Sequence, residues 1–397
     1  MVDDIDKLVA RTPAQFARAG ISAHIHHRVE AIDLTAQRVT VRDLEAHQTR
    51  AEAYDQLLLA TGALPIVPDL PGIDARGIYA VKSLESGKAL RDALKAPDVR
   101  DVVIVGGGYI GIEMADNLVG RVGRVTLIDR HSALMPALDP ELGQLVTAAA
   151  QRLGVTVRLD ETALAFETRQ GSVRAVVTDR GRYPADLVVL GLGVEPDVEL
   201  VRHAAIAQGV RGAIQVDARM ATALPGVYAA GDCVQSWDLV GRRFVYRPLG
   251  TTANKQGRVA GLNIAGGSAH FPGIVGTAIA RIGDTEVART GLGATDVSTL
   301  GLDALSVRIE THTHPGYLPN AAPITVGLWG ERGSGRLLGG QIVGGAGAGK
   351  RIDVLATALS AVMTVADLID LDLAYAPPFS DVWDPVQIAA RQLAPRL

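Results

Sequence analysis

The stretch DVVIVGGGYIGIEMADNLVGRVGRVTLIDR, residues 101–130, decides the fold. An apolar run is followed by a glycine loop, a segment with helical periodicity and a second apolar run. This order predicts a strand, a tight turn, a helix and a parallel second strand, which together form a βαβ unit. Further strands and helices alternate on the C-terminal side, so the expected fold class is α/β.

The glycines of this unit form a GxGxxG pattern, which permits a tight turn and lets backbone N–H groups meet a pyrophosphate at the helix N-terminus. Asp129 follows the second strand, where a carboxylate accepts a hydrogen bond from a ribose 2′-hydroxyl. Arg130 favours a 2′-phosphate instead, so we expect NADH with NADPH as the alternative. The other positions expected to contact this nucleotide are Gly106, Gly108, Tyr109, Ile110, Gly111 and Gly193.

Composition excludes several classes of protein. Of the 397 residues, 48% are hydrophobic and 21% are charged, which indicates packed cores rather than disorder. Lys and Arg (39) are balanced by Asp and Glu (43), and no basic block is present, so a nucleic-acid partner is not expected. A single cysteine excludes an intramolecular disulfide. Neither a signal peptide nor a membrane span is recognisable, and a cytoplasmic location is expected.

Three further segments carry a resemblance to a known family: LLLATGALP (57–65), TALPGVYAAGDCV (222–234) and PLGTTANKQGRVAG (248–261). Together they resemble the FAD-dependent pyridine nucleotide-disulfide oxidoreductases, in the branch of coenzyme A disulfide reductases and NADH oxidases. The resemblance implies a flavoprotein reductase fold with two dinucleotide-binding domains and a C-terminal α+β dimerisation domain. The implied segments are FAD-binding 1–98, NAD(P)-binding 99–211, FAD-binding 212–272 and dimerisation 273–397.

The resemblance also implies roles for individual residues. Asp232 matches the acidic residue that binds the flavin ribityl chain, and the remaining positions expected to contact FAD are Val29, Ala60, Thr61, Gly62, Thr252 and Ala253. Tyr317 and Tyr375 match tyrosines that reach the active site of the partner subunit in a homodimer. Asn254 lies where a contact to the substrate is expected.

Two features of the family are not found in this sequence. Relatives open with an FAD-binding GxGxxG, followed by a redox cysteine on the next helix, so the first βαβ of the flavin domain is expected to be missing. Cys233, in its GDC context, matches a packing position rather than a redox centre. The expected activity is hydride transfer from NAD(P)H to FAD and onward to a disulfide, polysulfide, peroxide or O₂. The alternative is a truncated, catalytically silent NAD(P)-binding dimer.

Two other patterns suggest different chemistry. GGAGAGK, residues 344–350, fits the GxxxxGK of a phosphate-binding loop, but Arg351 stands where such loops need Ser or Thr for Mg²⁺, so an ATPase is not favoured. His24, His26 and His27 suggest a metal site, although a solvated strand face is the simpler interpretation. No metal ion is expected.

Overall fold

The computed structural model of the protein describes residues 5–202 and 204–397. The chain forms two compact units. The first contains the described residues up to Ala63, with Pro196–Gln235 and Tyr246–Phe271. The second contains Leu64–Glu195, Ser236–Val245 and Pro272–Leu397. Residues 1–4 and His203, which belong to the predicted segments 1–98 and 99–211, lie outside the described residues.

Over the described residues the strands, β1 to β22 in chain order, are His27–Asp33, Arg38–Asp43, Gln48–Ala53, Leu57–Leu59, Ala63–Pro65, Ile78–Ala80, Asp101–Val105, Arg124–Ile128, Thr156–Arg158, Ala163–Arg169, Ser172–Thr178, Arg182–Pro184, Leu187–Leu190, Val194–Pro196, Val227–Ala229, Ser236–Asp238, Arg243–Val245, Ala278–Ile282, Thr285–Gly291, Ala304–His312, Pro323–Glu331 and Leu337–Gly344. The helices, α1 to α8, are Pro13–Arg18, Leu84–Ala93, Tyr109–Leu118, Pro140–Arg152, Gly250–Ile264, Ala294–Leu300, Ile352–Ser360 and Pro385–Leu393. Short 3-10 turns lie at Ile5–Leu8, Glu199–Val201, Val210–Gly212, Gly349–Arg351 and Ala394–Arg396. Within this part of the chain, none of the helices combines the length and the apolar character that a membrane crossing requires.

The nucleotide domain of the second unit is built on a parallel sheet with strand order β6-β13-β7-β8-β9. Its centre is the predicted βαβ unit, β7-α3-β8, which is confirmed. Helix α3 buries Ile112, Ala115 and Leu118 at intervals of three residues, so one face of the helix packs on the sheet. Ile104 of β7 is fully buried beneath it. The carboxyl ends of β7, β8 and β13 therefore share one edge.

The C-terminal part of the second unit is an antiparallel sheet with strand order β18-β19-β22-β21-β20, covered by helices. Helix α7 contacts β19 and β22, and α8 contacts β20 and β21. The predicted α+β unit is confirmed, with the helices α6, α7 and α8 beside the sheet strands. Helix α7 follows the 3-10 turn at Gly349–Arg351 and ends at Ser360, shortly before Val362, whose φ is +56°.

The first unit contains an exposed antiparallel sheet of strands β1, β2 and β3 and a short parallel pair of β4 and β15. Strands β1 and β2 form an antiparallel pair, which β3 extends. All six residues of β3 are exposed, so the strand has no alternation of apolar and polar residues to reveal it. Helix α5, which belongs to the same unit, contacts β15.

Candidate functional site

The glycine loop lies between the end of β7 and the start of α3. Gly106 has a φ of +107°, and a Cβ there would stand 2.5 Å from the carbonyl oxygen of Gly191. A Cβ on Gly111 would stand 1.8 Å from the carbonyl oxygen of Gly106. These two glycines are therefore required for the close approach of helix, loop and sheet.

Gly108 has a different role, because it is the N-cap of α3 and a Cβ on it would meet no atom within 4 Å. In the described residues no side chain caps this helix end. The first N–H groups of a helix have no partner within the helix, and they attract anions. An uncapped helix N-terminus with open space beside it is suited to a phosphate group, and Tyr109 and Ile110 form its first turn.

Asp129 lies at the end of β8, beside the same loop, and is 7% exposed. Its Oδ2 accepts a hydrogen bond from the Gly107 amide at 2.5 Å. Its Oδ1 accepts from the His131 amide at 2.8 Å and contacts His131 Nδ1 at 2.7 Å. The Gly107 carbonyl in turn accepts from the Met135 amide. The carboxylate expected at the ribose thus also holds the glycine loop in place.

Gly193 follows β13 at the same edge of the sheet. Its φ is +94°, and its carbonyl accepts a hydrogen bond from the Ile66 amide at 3.0 Å. Since β13 pairs with β7, this turn and the glycine loop leave adjacent strands in the same direction. The predicted nucleotide-contacting residues are therefore brought together, at the carboxyl ends of parallel strands where ligands of such sheets bind.

Of the residues expected to contact flavin, Ala60–Gly62 and Asp232 meet at the end of the β4–β15 pair in the first unit. Because the two strands are parallel, Ala60–Gly62 and the turn before Asp232 leave them side by side. Thr61 Oγ1 donates to the Asp197 carbonyl at 2.5 Å, and the Asp232 carbonyl accepts from Tyr246 Oη at 2.9 Å. Val29 lies on β1 and is 39% exposed.

The start of α5 lies next to this turn. The Gly231 amide donates to Gln256 Oε1 at 3.0 Å, and a Cβ on Gly231 would lie 3.7 Å from the Ala253 Cβ. Thr252 is buried and Asn254 is exposed on the same first turns. Among the described residues, no side chain caps the N-terminus of α5.

Cys233 follows Asp232 but faces the interior. Its side chain is fully buried, and its thiol donates to the Ala230 carbonyl at 3.4 Å. Burial raises the pKa of this thiol above its ordinary value, which keeps it protonated at neutral pH. The structure thus places Cys233 in a packing position, as the sequence predicts.

Tyr317 and Tyr375 lie on the surface of the second unit, with 77% and 50% of their areas exposed. Within the residues that the structure describes, no group of three or more His, Cys, Asp or Glu side chains is arranged to hold a metal ion. In the stretch expected to form a strand face, the His24 and His27 rings lie 5.2 Å apart, and His27 contacts Asp43 at 3.6 Å.

One group near the loop was not predicted. Glu113 lies on α3, two residues beyond Gly111. The pKa of its carboxyl is raised above the ordinary value. The larger cause is desolvation by the surrounding protein, and the smaller is the nearby carboxylate of Asp116. Glu113 is an exposed residue, so water screens much of this effect. In the sequence, the feature that could have indicated Glu113 is its position on the helix that follows the glycine loop.

Fold and site together define an α/β oxidoreductase that uses two dinucleotides. Residues 6–257 match the family model of the pyridine nucleotide-disulphide oxidoreductases, and residues 277–386 match the dimerisation domain of the same family. The chain belongs to this family and is an FAD-dependent NAD(P)H oxidoreductase. The resemblance seen in the sequence is thereby confirmed.

Three relatives illustrate the similarity. The NAD(P)H sulfur oxidoreductase (CoA-dependent) of Pyrococcus abyssi is 38% identical over 99% of this chain and 87% of its own. The structure of a NAD-dependent persulfide reductase from A. fulgidus is 36% identical, with a TM-score of 0.95 over 98% of this chain and 73% of its own. That of an FAD-dependent pyridine nucleotide-disulphide oxidoreductase from Desulfovibrio vulgaris is 33% identical, with a TM-score of 0.83 over 94% and 90%. All three are named as oxidoreductases or reductases, and none supports the silent alternative.

Proposed function

We propose that NADH or NADPH binds at the glycine loop through Gly106, Gly108, Tyr109, Ile110 and Gly111, with Asp129 and Gly193 at its sides. The observation that carries this proposal is the uncapped N-terminus of α3 beside the open face of Gly108. The helix amides would hold the pyrophosphate, and the carboxyl end of β8 would hold the adenosine ribose. The nucleotide would thus be oriented largely by backbone groups.

FAD fits the edge of the β4–β15 pair. Gly62 and Gly231 both have positive φ, and a Cβ on Gly62 would meet no atom within 4 Å, so a ligand can approach the backbone there. FAD, when bound, would supply a flavin ring that can take a hydride from NAD(P)H and release the electrons to an acceptor. Asp232 would accept hydrogen bonds from the ribityl hydroxyls, and the uncapped amides at the start of α5 would donate to flavin oxygens. The remaining residues proposed to contact FAD are Val29, Ala60, Thr61, Thr252 and Ala253.

The electron acceptor is a disulfide, a polysulfide, a peroxide or O₂. Sulfur compounds have the strongest support, because the Pyrococcus and A. fulgidus relatives are named for sulfur and persulfide chemistry. Tyr317, Tyr375 and Asn254 are proposed to contact this acceptor. A phenol beside a leaving thiolate can donate the proton that the thiolate needs.

The protein is proposed to act as a homodimer in the cytoplasm. The match of residues 277–386 to a dimerisation domain supports the dimer, and the exposed tyrosines of that unit would then serve the partner's site. The single buried thiol suits a reducing compartment. The division at residues 98, 211 and 272 stays a prediction. Sedimentation should give about twice the chain mass of 41.6 kDa.

The test of the nucleotide site uses Gly108→Ala. A methyl group there would enter the open space that the pyrophosphate needs, and such overlap typically costs about 1 to 3 kcal/mol. We expect NADH titration to show binding weakened about tenfold or more, with the fold retained. Gly87→Ala is the matched control, because a Cβ on Gly87 in α2 also meets no atom within 4 Å. Unchanged NADH affinity in Gly108→Ala would contradict the proposal.

A further inference from the structure

The segment 134–139, which follows β8, joins the glycine loop to the antiparallel sheet β18-β19-β22-β21-β20, here called the dimerisation sheet. At its first end the Met135 amide donates to the Gly107 carbonyl at 2.8 Å. A Cβ on Gly107 would stand 2.5 Å from the side chain of Leu134, so the glycine loop also packs directly on this segment. The other end of the segment is Asp139, the N-cap residue of α4.

The carboxylate of Asp139 does not cap its own helix. Its Oδ2 accepts from Trp329 Nε1 at 2.8 Å, and its Oδ1 accepts from Gln341 Nε2 at 3.0 Å and from the Ala294 amide at 2.8 Å. The Asp139 amide in turn donates to Gln341 Oε1 at 2.8 Å. These partners all lie within residues 277–386, which match the dimerisation domain. The helix N-cap is therefore bonded to the dimerisation sheet instead of to its own helix.

The backbone between these two ends is held in a conformation that it would not adopt by itself. Met135 has a φ of +57°, in the left-handed region that residues other than glycine rarely occupy. Such a conformation persists only where the surrounding contacts impose it. The Leu138 amide donates to the Met135 carbonyl at 2.8 Å, and the Ala137 carbonyl accepts from Arg289 Nη1 of β19 at 2.9 Å. The direction of the Met135 amide therefore depends on how the segment is anchored.

We propose that Asp139 is a positioning residue for the nucleotide site. Bonded to the dimerisation sheet, it holds segment 134–139 so that the Met135 amide keeps the Gly107 carbonyl, and with it the glycine loop, in the shape that receives a pyrophosphate. This inference rests on the proposed binding of the nucleotide at the glycine loop. Without the anchor Met135 can relax, and NADH must then order the loop as it binds, which lowers its affinity.

The first experiment measures the dissociation constant of NADH for the unmodified full chain and for Asp139→Ala. We expect the affinity to fall about fivefold, a size typical of a change that acts through an intervening element. Val326→Ala is the control, since Val326 lies on β21 with Trp329 and is fully buried in the apolar core of the dimerisation sheet. It should lower the thermal midpoint, because it leaves a cavity, and yet leave NADH affinity unchanged.

A milder pair of substitutions tests the anchor in a chain that keeps its shape. Asp139→Asn places an amide NH₂ where Oδ2 now accepts from Trp329 Nε1, so that two donors face each other. Trp329→Phe removes the indole donor. Each single variant should bind NADH about two- to fivefold more weakly than the unmodified chain. The double variant should bind NADH more tightly than Asp139→Asn alone, because the opposing donor is gone.

Amide hydrogen exchange measures the segment itself. Peptides that cover residues 134–139 should exchange faster in Asp139→Ala than in the unmodified chain, and at an unchanged rate in Val326→Ala. Unchanged exchange in Asp139→Ala would overturn the inference, as would an NADH affinity lowered no more than in Val326→Ala. If Asp139→Ala does not fold, a double variant that binds NADH no better than Asp139→Asn overturns it. Absence of saturable NADH binding to the unmodified chain removes the proposed function, and this inference with it.

Discussion

Among the described residues, the glycine-rich loops at Gly106–Gly111 and at 344–350 both lead from a strand into a helix, and they differ in the space beside their glycines. At Gly106–Gly111 the helix end is uncapped and Gly108 faces open space. At residues 344–350 the Gly349 amide already donates to Glu286 Oε2 at 2.7 Å, and Lys350 pairs with Asp353. A Cβ on Gly345 would also stand 2.3 Å from the Ala322 Cβ. Since each loop has a glycine amide that donates to a carboxylate, the difference lies in the open space at Gly108, and a glycine pattern indicates a phosphate site only where such space remains.

The largest expected effect is at the first loop. Gly111→Ala places a methyl group 1.8 Å from the backbone oxygen of Gly106, where no side-chain rotation relieves the overlap. We expect a loss of about 3 kcal/mol in the free energy of unfolding, together with loss of NADH binding. Urea denaturation and NADH titration measure the two. A variant as stable as Gly87→Ala would show that the loop and helix are not so closely packed.

Substitutions at the second loop, residues 344–350, should change the free energy of unfolding but not nucleotide binding. Glu286→Ala leaves the partly buried Gly349 amide without its acceptor, which typically costs about 1 to 3 kcal/mol. Glu310→Ala, at an exposed position on β20, is the control and should cost less than about 0.5 kcal/mol. Neither variant nor the unmodified chain should bind Mg²⁺–ATP saturably. Saturable binding of Mg²⁺–ATP that is lost when Lys350 is changed would show that the second loop also binds phosphate.

A smaller effect is expected at the carboxylate beside the first loop. Asp129→Ala removes the acceptor for the Gly107 amide and the support of His131. NADH binding should weaken by about 1 to 2 kcal/mol. NADPH binding should weaken less, because the removed carboxylate also repels a 2′-phosphate. Equal losses of NADH and NADPH affinity in parallel titrations would show that Asp129 does not contact the ribose.

The smallest effect concerns pH and Glu113. Its raised pKa means that the folded state keeps the proton at pH values where the unfolded chain has lost it. Stability should therefore fall as the pH rises from the ordinary value of 4.5 through the raised pKa. The exposure of the residue limits the change to less than about 0.5 kcal/mol. Glu113→Gln should remove this part of the pH profile in urea denaturation, and an unaltered profile would contradict the assignment.

The sequence predicts those parts of the structure that depend on residues close together in the chain. The βαβ unit, the glycine loop and the position of Asp129 follow from periodicity and spacing alone. The contact of Asp129 with His131 does not, because it depends on the turn that the chain makes after β8. Likewise Arg351, which in the sequence only spoils a phosphate-loop pattern, in fact donates to Asp384 and to the Thr313 and Phe379 carbonyls. Such contacts join residues far apart in the chain, which local patterns do not reveal.

Because Cys233 is buried, the reaction of its thiol with a reagent can report local opening of the protein. The chain has one thiol, and that thiol is fully buried in the unit proposed to carry FAD. A thiol-specific dye can therefore attach only when this part of the molecule opens, so the labelling rate counts opening events. Ligands that bind the closed form should slow the label in proportion to their occupancy. The rate at which the dye labels Cys233 can therefore be used to follow flavin binding.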